Sequence, residues 1–305
     1  MASDRTEDGR VAAGIAMAFA MAAMFGTAVA LSRAGYAAGG SGLTLATLRA
    51  CLMVLLFGLY FLVRRKSPRL PRAVWLLSLV NGLLLAGLYY GNIGSIEFVS
   101  VGLAVLVFFT YPLLIALASV CMGTERLSVM AAVALAAAFI GLAVMLGVSF
   151  ESADWRGVAL AAMASICSAT NAILIARHFK SVDPIAATFH MSIVAAIALV
   201  AVSLIAGEFR LPETRPGMLA FFTVALAQSV GMPIYYASIA RTGAVLSGAI
   251  FNIQPAISIA VAWALYGEAL TPIQLAGGAL VLVSVWGLQI GRAVRKPGRS
   301  DQGPA

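Results

Sequence analysis

Residues 103–127, LAVLVFFTYPLLIALASVCMGTERL, come back 143 positions later as residues 246–270, LSGAIFNIQPAISIAVAWALYGEAL. Leu103 falls on Leu246, Phe108 on Phe251, Pro112 on Pro255, Glu125 on Glu268 and Leu127 on Leu270. The same offset pairs Ser95 with Ser238, Gly14 with Gly157, Thr27 with Thr170 and Leu31 with Leu174, and only residues 43–63 need a small slip. The chain is one unit written twice, so any fold proposed for it must serve both copies.

Each copy is a series of apolar runs. Of 305 residues, 62% are hydrophobic and 10% charged, too little charge to cover a soluble domain of this size. Runs of about 20 apolar residues match the length that crosses a hydrocarbon core. They lack the alternation of a membrane β-barrel. The expected fold class is all-α: a polytopic membrane protein whose bilayer is its main partner. The expected spans are 12–33, 43–63, 73–95, 99–121 and 128–148, then 156–176, 184–206, 217–239, 243–265 and 271–291. Residues 1–11 and 292–305 are expected as tails, 12–148 as the first repeat and 149–291 as the second. Cys51, Cys121 and Cys167 lie inside apolar runs without metal or redox spacing and are expected to be packing residues. No metal and no cofactor is expected.

The net charge of +8 does not argue for nucleic acid, because the basic residues cluster in short loops. With the N-terminus cytoplasmic, fifteen Lys and Arg fall on the inner side and four on the outer, with Arg49 inside a span. That asymmetry predicts a cytoplasmic-membrane protein with both termini inside. Five helices per repeat is an odd number, so the second copy enters the membrane inverted. Inverted repeats are the architecture of secondary transporters, with a site near the midplane between the halves.

Two five-helix repeats, each with an apolar helix, a mid-helix proline and a following glycine and Glu-x-Leu turn, resemble the EamA-type drug/metabolite transporter superfamily. The resemblance covers about residues 12–291 and extends to Arg49, which matches an arginine common early in the second helix. Its counterpart in the second repeat is His190, if Ala46-Thr47 aligns with Ala187-Thr188. The resemblance implies export of small metabolites, as in the amino acid exporter branch. It also implies a cavity lined by the first four helices of each repeat, with the fifth and tenth peripheral.

Within that frame the polar residues inside the spans are the candidate substrate site. Pro112 and Pro255 each lack an N–H and free the carbonyls of Phe108 and Phe251. At membrane depth such carbonyls need protein or a wet cavity. The alternative is a packing kink. Thr110, Tyr111, Asn252 and Gln254 surround these bends. Tyr89, Tyr90 and Asn92 in the third helix, and Tyr235 and Tyr236 in the eighth, line a cavity or anchor at the interface. Asn81, Ser168, Asn171 and Gln228 sit deeper and face the bundle or a cavity. Arg49 lies ~9 Å inside its helix. It either attracts a substrate carboxylate or plays a structural part, snorkelling or tying down helix-end carbonyls. An arginine kept in the family across different substrates favours the structural part.

His190 is the coupling candidate, because every Asp and Glu falls in a loop, a tail or a helix end. That argues for facilitated transport or weak proton coupling, and against a bare organic cation as substrate. Gly141, Gly147, Gly277, Gly278 and Gly287 make the fifth and tenth helices close-packing surfaces for each other or for a second protomer, so monomer and homodimer both stay open. An intramembrane enzyme would need H-E-x-x-H or paired carboxylates, and the chain has neither; GGSG at 39–42 lacks nucleophile-elbow spacing. A channel would need a filter or a ring of charge. A scaffold would not need Asn171, Asn252 and Gln254 in its core. The reading is a transporter exporting amino acids or related compounds, with drug, nucleobase or sugar export as the alternative.

Overall fold

The computed structural model describes residues 2–95, 98–99, 101–123, 128–147, 154–266 and 271–294. The repeated pairs Glu125/Glu268 and Leu127/Leu270 lie outside them. Among the described residues the chain forms helices and no strand. The first repeat contributes α1 (Ala2–Ala37), α2 (Gly42–Val63), α3 (Arg72–Gly94), α4 (Val101–Phe108), α5 (Tyr111–Cys121) and α6 (Val129–Leu146). The second contributes α7 (Trp155–His178), α8 (Pro184–Ala206), α9 (Arg215–Thr242), α10 (Ala244–Phe251), α11 (Gln254–Tyr266) and α12 (Pro272–Val294). Taking α4–α5 and α10–α11 as one span each, nine stretches among the described residues are long and apolar enough to cross a membrane, and α12 adds the shorter apolar stretch Pro272–Ser284.

Local sequence sets the boundaries. Ser41, Ser128, Asp154, Asp183 and Thr214 stand as N-caps of α2, α6, α7, α8 and α9, each side-chain oxygen accepting an orphan first-turn N–H. Gly147 and Gly207 end α6 and α8 at φ 57° and 63°, the left-handed geometry that glycine adopts without a Cβ clash. Two expectations change. α1 starts at Ala2 rather than at residue 12, because polar residues outside a hydrocarbon core can continue a helix. The fourth and ninth spans are each two helices, because a proline fits the first turn of a new helix without losing a hydrogen bond.

The two repeats interleave. The extensive helix contacts all join one repeat to the other: α1 with α9, α10 and α11; α7 with α3, α4 and α5; α2 with α8 and α9; α8 with α3; α6 with α12. Each pairing has its counterpart under exchange of the repeats. The close approaches repeat as well. A Cβ on Gly14 would meet Thr242 and Arg241 of α9 at 2.6 and 2.8 Å, and one on Gly157 would meet Val99, Phe98 and the Ser95 carbonyl at 2.8–3.0 Å. Small residues here let backbones touch, which is how helices associate where apolar burial gives no advantage over lipid. The last helix of each repeat, α6 and α12, uses glycine against the other: a Cβ on Gly141 would lie 2.8 Å from the Gly277 carbonyl, and one on Gly277 would lie 2.6 Å from the Gly141 carbonyl.

Outward surfaces carry Leu62, Val129 and Ile205, all strongly exposed, as a bundle bathed in hydrocarbon requires. Cys51 and Cys121 are also exposed, so they are outward-facing rather than packing residues; their neighbours on the inward helix faces, Ala50 and Ser119, take the buried positions.

Candidate substrate site at the bundle centre

The breaks in the two apolar spans fall at equivalent places: α4 and α10 end at Phe108 and Phe251, and α5 and α11 begin at Tyr111 and Gln254. Around each break the chain tightens to three-residue hydrogen bonds, Thr110 N–H to Val107 O, and Asn252 N–H to Ala249 O with Ile253 N–H to Ile250 O. Pro112 and Pro255 then occupy the second position of the following helix. At 1.5 Å per residue both breaks lie about 12 Å from one end of their spans and about 16–20 Å from the other, in the middle part of each span.

Aromatic rings fill the space between the breaks. Phe251 has Phe25, Phe109, Tyr111 and Tyr235 around it at 5.7–6.3 Å between centroids, and Phe108 packs on Phe109 and Tyr111 at 5.2 and 5.4 Å. Tyr235 and Tyr236 sit side by side at 6.4 Å. Such pairs are offset or edge-on, the favourable arrangements for aromatic quadrupoles.

Arg49 lies on the same side of the bundle interior, from α2. It is 8% exposed, donates from Nη1 to Gln228 Oε1 at 2.5 Å, and places its guanidinium carbon 3.3 Å from the centre of the Tyr89 ring. The titratable groups near it are the neutral phenols of Tyr89, Tyr36 and Tyr236; among the described residues no carboxylate stands with it. At this depth it does not reach the surface, and the side-chain bond described for it goes to an amide oxygen of the other repeat. Next to Gln228, Ser229 Oγ donates to Ala225 O of its own helix at 2.6 Å and lies 3.2 Å from the Arg49 carbonyl, the longer arm of a shared contact between α9 and α2.

Among the described residues five buried polar atoms have no hydrogen-bond partner: Arg49 Nε, the hydroxyls of Tyr89, Tyr235 and Tyr236, and Asn252 Oδ1. The Tyr111 hydroxyl stands near that of Tyr235, and the Asn171 amide near that of Tyr236, yet neither pair is aligned as a bond. Tyr111 instead makes a long 3.4 Å bond to Gly248 O, and Asn171 Nδ2 donates to Asn81 Oδ1 at 2.8 Å. An unsatisfied buried polar group costs about 1–3 kcal/mol, and native proteins leave few of them. Arg49, Tyr89, Tyr235 and Tyr236 stand in one group, and Asn252 directly follows Phe251, whose ring packs on Tyr235.

Tyr89, Phe108, Tyr111, Asn171, Gln228, Tyr235 and Asn252 are thus gathered with Arg49 at the centre. Gln254 is buried beside them, its carbonyl 2.7 Å from the Cβ position of Gly26 on α1. Tyr90 is 39% exposed on the outer face, one residue and about 100° around the helix from Tyr89. Asn92 is half-buried near the end of α3, where its carbonyl accepts from Ser95 Oγ. His190 is elsewhere: its Nε2 lies 2.6 Å from Pro68 O in the loop after α2, and its ring packs on Phe189. Phe189 in turn meets Phe61, twelve residues or about 18 Å along α2 from Arg49.

The sequence reading passed over Pro233, inside α9. It carries the same signal as Pro112 and Pro255 but falls opposite Tyr90 in the repeat, so the offset does not flag it. It leaves the Ser229 carbonyl without its helical partner, beside the α2 contact. Among the described residues no three His, Cys, Asp or Glu come together as a metal site would require.

The EamA-like transporter family model matches residues 12–147 and again residues 155–289. The chain belongs to the EamA-like transporter family. As a member of this drug/metabolite transporter superfamily it is a multi-pass membrane protein built from two repeats. A protein whose crystal structure is known shares the fold at a TM-score of 0.76 and 20% identity, over 93% of this chain and 99% of that one. No curated protein sequence matches.

Proposed function

We propose that this EamA-family protein is a secondary transporter that exports a small metabolite across the cytoplasmic membrane by alternating access, with amino acids or related compounds as the first substrate class. The observation that carries this reading is the set of five unpartnered polar atoms at the centre of the bundle. They come from α2, α3 and α9 and from the break before α11, so both repeats contribute. Relative movement of the repeats would open and close such a site without dismantling either half.

Aromatic walls suit a solute with an apolar part, and the mixture of donors with one amide acceptor suits polar groups of both kinds. Transport is facilitative, or coupled weakly through His190. Counterflow into proteoliposomes loaded with single unlabelled amino acids, sugars, nucleobases or aromatic cations, at equal pH on both sides, tests the proposal. Exchange of amino acids without a pH gradient is expected. Exchange restricted to sugars or nucleobases removes the substrate class, and no exchange by folded, inserted protein removes the transporter reading.

A further inference from the structure

The buried charge of Arg49 is held by a neutral partner. Gln228 Oε1 accepts one N–H, the Tyr89 face covers the guanidinium, and Nε–H has no acceptor. A guanidinium presents its donors as flat pairs that match the two oxygens of a carboxylate. An amide offers a single oxygen of similar size and no charge, and charge-assisted bonds are roughly twice as strong as neutral ones. We infer that Arg49 binds the carboxylate of the substrate and that Gln228 is its exchangeable stand-in, giving up the guanidinium when the carboxylate arrives. The inference rests on the transporter reading for the identity of the ligand as substrate.

Charge selects the class of anion. Arg49 is the one formal cation of the cluster, so a monoanion neutralises it, whereas a phosphate dianion would leave a buried excess charge. The hydroxyls of Tyr89 and Tyr236 are free donors beside it, and Asn252 Oδ1 is the free acceptor for an N–H elsewhere on the solute.

The exchange has a structural consequence, because Arg49–Gln228 joins α2 of one repeat to α9 of the other. Beside it Ser229 Oγ lies 3.2 Å from the Arg49 carbonyl, and further along the same seam Leu45 of α2 packs with Phe221, Val224 and Ala225 of α9. Pro233 has already removed one backbone bond from α9 at that level. Taking Arg49 from Gln228 therefore loosens a polar inter-repeat contact at the turn of α9 that Pro233 interrupts, which links binding to movement of the halves.

Purified protein tests this by thermal stabilisation with acetate, isocaproate and L-leucine, each compared with its own carboxamide at matched ionic strength. At least one carboxylate should raise the Tm of the unmodified protein while its amide does not. The effect should vanish in Arg49→Gln. In Gln228→Glu an internal carboxylate holds Arg49, and apparent affinity should fall about tenfold or more; in Gln228→Ala it should rise. If Arg49→Gln does not fold, the two Gln228 variants decide. Equal shifts by acid and amide, no shift with any carboxylate, or unmodified affinity in Gln228→Glu would overturn the inference. Counterflow separates the two claims: carboxylate binding without exchange sinks the transporter reading alone, and exchange indifferent to Gln228→Glu sinks the stand-in alone.

Discussion

The two helix breaks share a backbone and differ in what completes it. At the first, Thr110 Oγ1 lies 2.7 Å from Val107 O and 2.8 Å from Ser165 Oγ of α7, so its hydroxyl is satisfied within the protein. At the second, Asn252 is 5% exposed and its Oδ1 has no partner. Phe109 and Asn252 are equivalents, as are Tyr111 and Gln254, so one copy presents a ring where the other presents an amide. Duplication built a symmetric frame, and substitution within it sealed one break while leaving the other chemically open. A site that must hold an asymmetric solute needs that difference.

The largest expected effect is at the open break. Asn252→Leu should lower exchange about tenfold or more while the protein remains folded, and Thr110→Val should leave exchange within about twofold. Counterflow alongside a melting curve checks both; equal losses would erase the distinction between the breaks. Next, Pro255→Ala should impair turnover more than stability, and more than Pro112→Ala does, because restoring an N–H after the open break lets the helix close through it. Intact transport in Pro255→Ala would remove the broken helix from the mechanism. Thr110→Val should instead cost stability, about 1–2 kcal/mol, by stranding Ser165 Oγ; detergent melting would show it.

The smallest effect reaches the sealed break through the start of α7. There the Arg156 side chain, 2.8 Å from Asp154 Oδ2, holds the Asp154 carboxyl below its ordinary value of 3.8. A depressed folded-state value stabilises the fold above the unfolded value, and the contribution is lost as pH falls through the folded one. Asp154→Asn should therefore melt slightly earlier than the unmodified protein at neutral pH, with the gap closing below the ordinary carboxylate range. A gap that widens in acid would contradict this.

Much of the frame was legible because repetition is a one-dimensional signal. The offset that pairs Pro112 with Pro255 also pairs Phe108 with Phe251, and these prove to be the last residues of α4 and α10. Apolar run length likewise marked the spans. Partnerships were not legible. Gln228 is 179 residues from Arg49 and its repeat equivalent is Leu85, so neither proximity nor the offset points from one to the other. Tyr89 and Tyr90 looked alike in composition, and only the rotation of α3 decides which turns inward. His190 shares the register of Arg49 but lies beside a loop carbonyl, because α8 presents that turn to the loop after α2.

The glycine contact between α6 and α12 has a mechanical consequence. Where Gly141 and Gly277 meet, backbone rests on backbone, with only Leu280 and Met145 reaching across beside them, so few side chains need be withdrawn before the surfaces can turn. A joint of this kind resists separation, because adding even one methyl group forces the helices apart, yet offers little friction to a small rotation. If the halves rock, this smooth bearing is the natural fulcrum, and the central site stands off to one side on the lever arm. A degree or two at the bearing becomes a larger displacement at Arg49 and Asn252, so bulk introduced at Gly277 should jam the motion far from any residue that touches the solute.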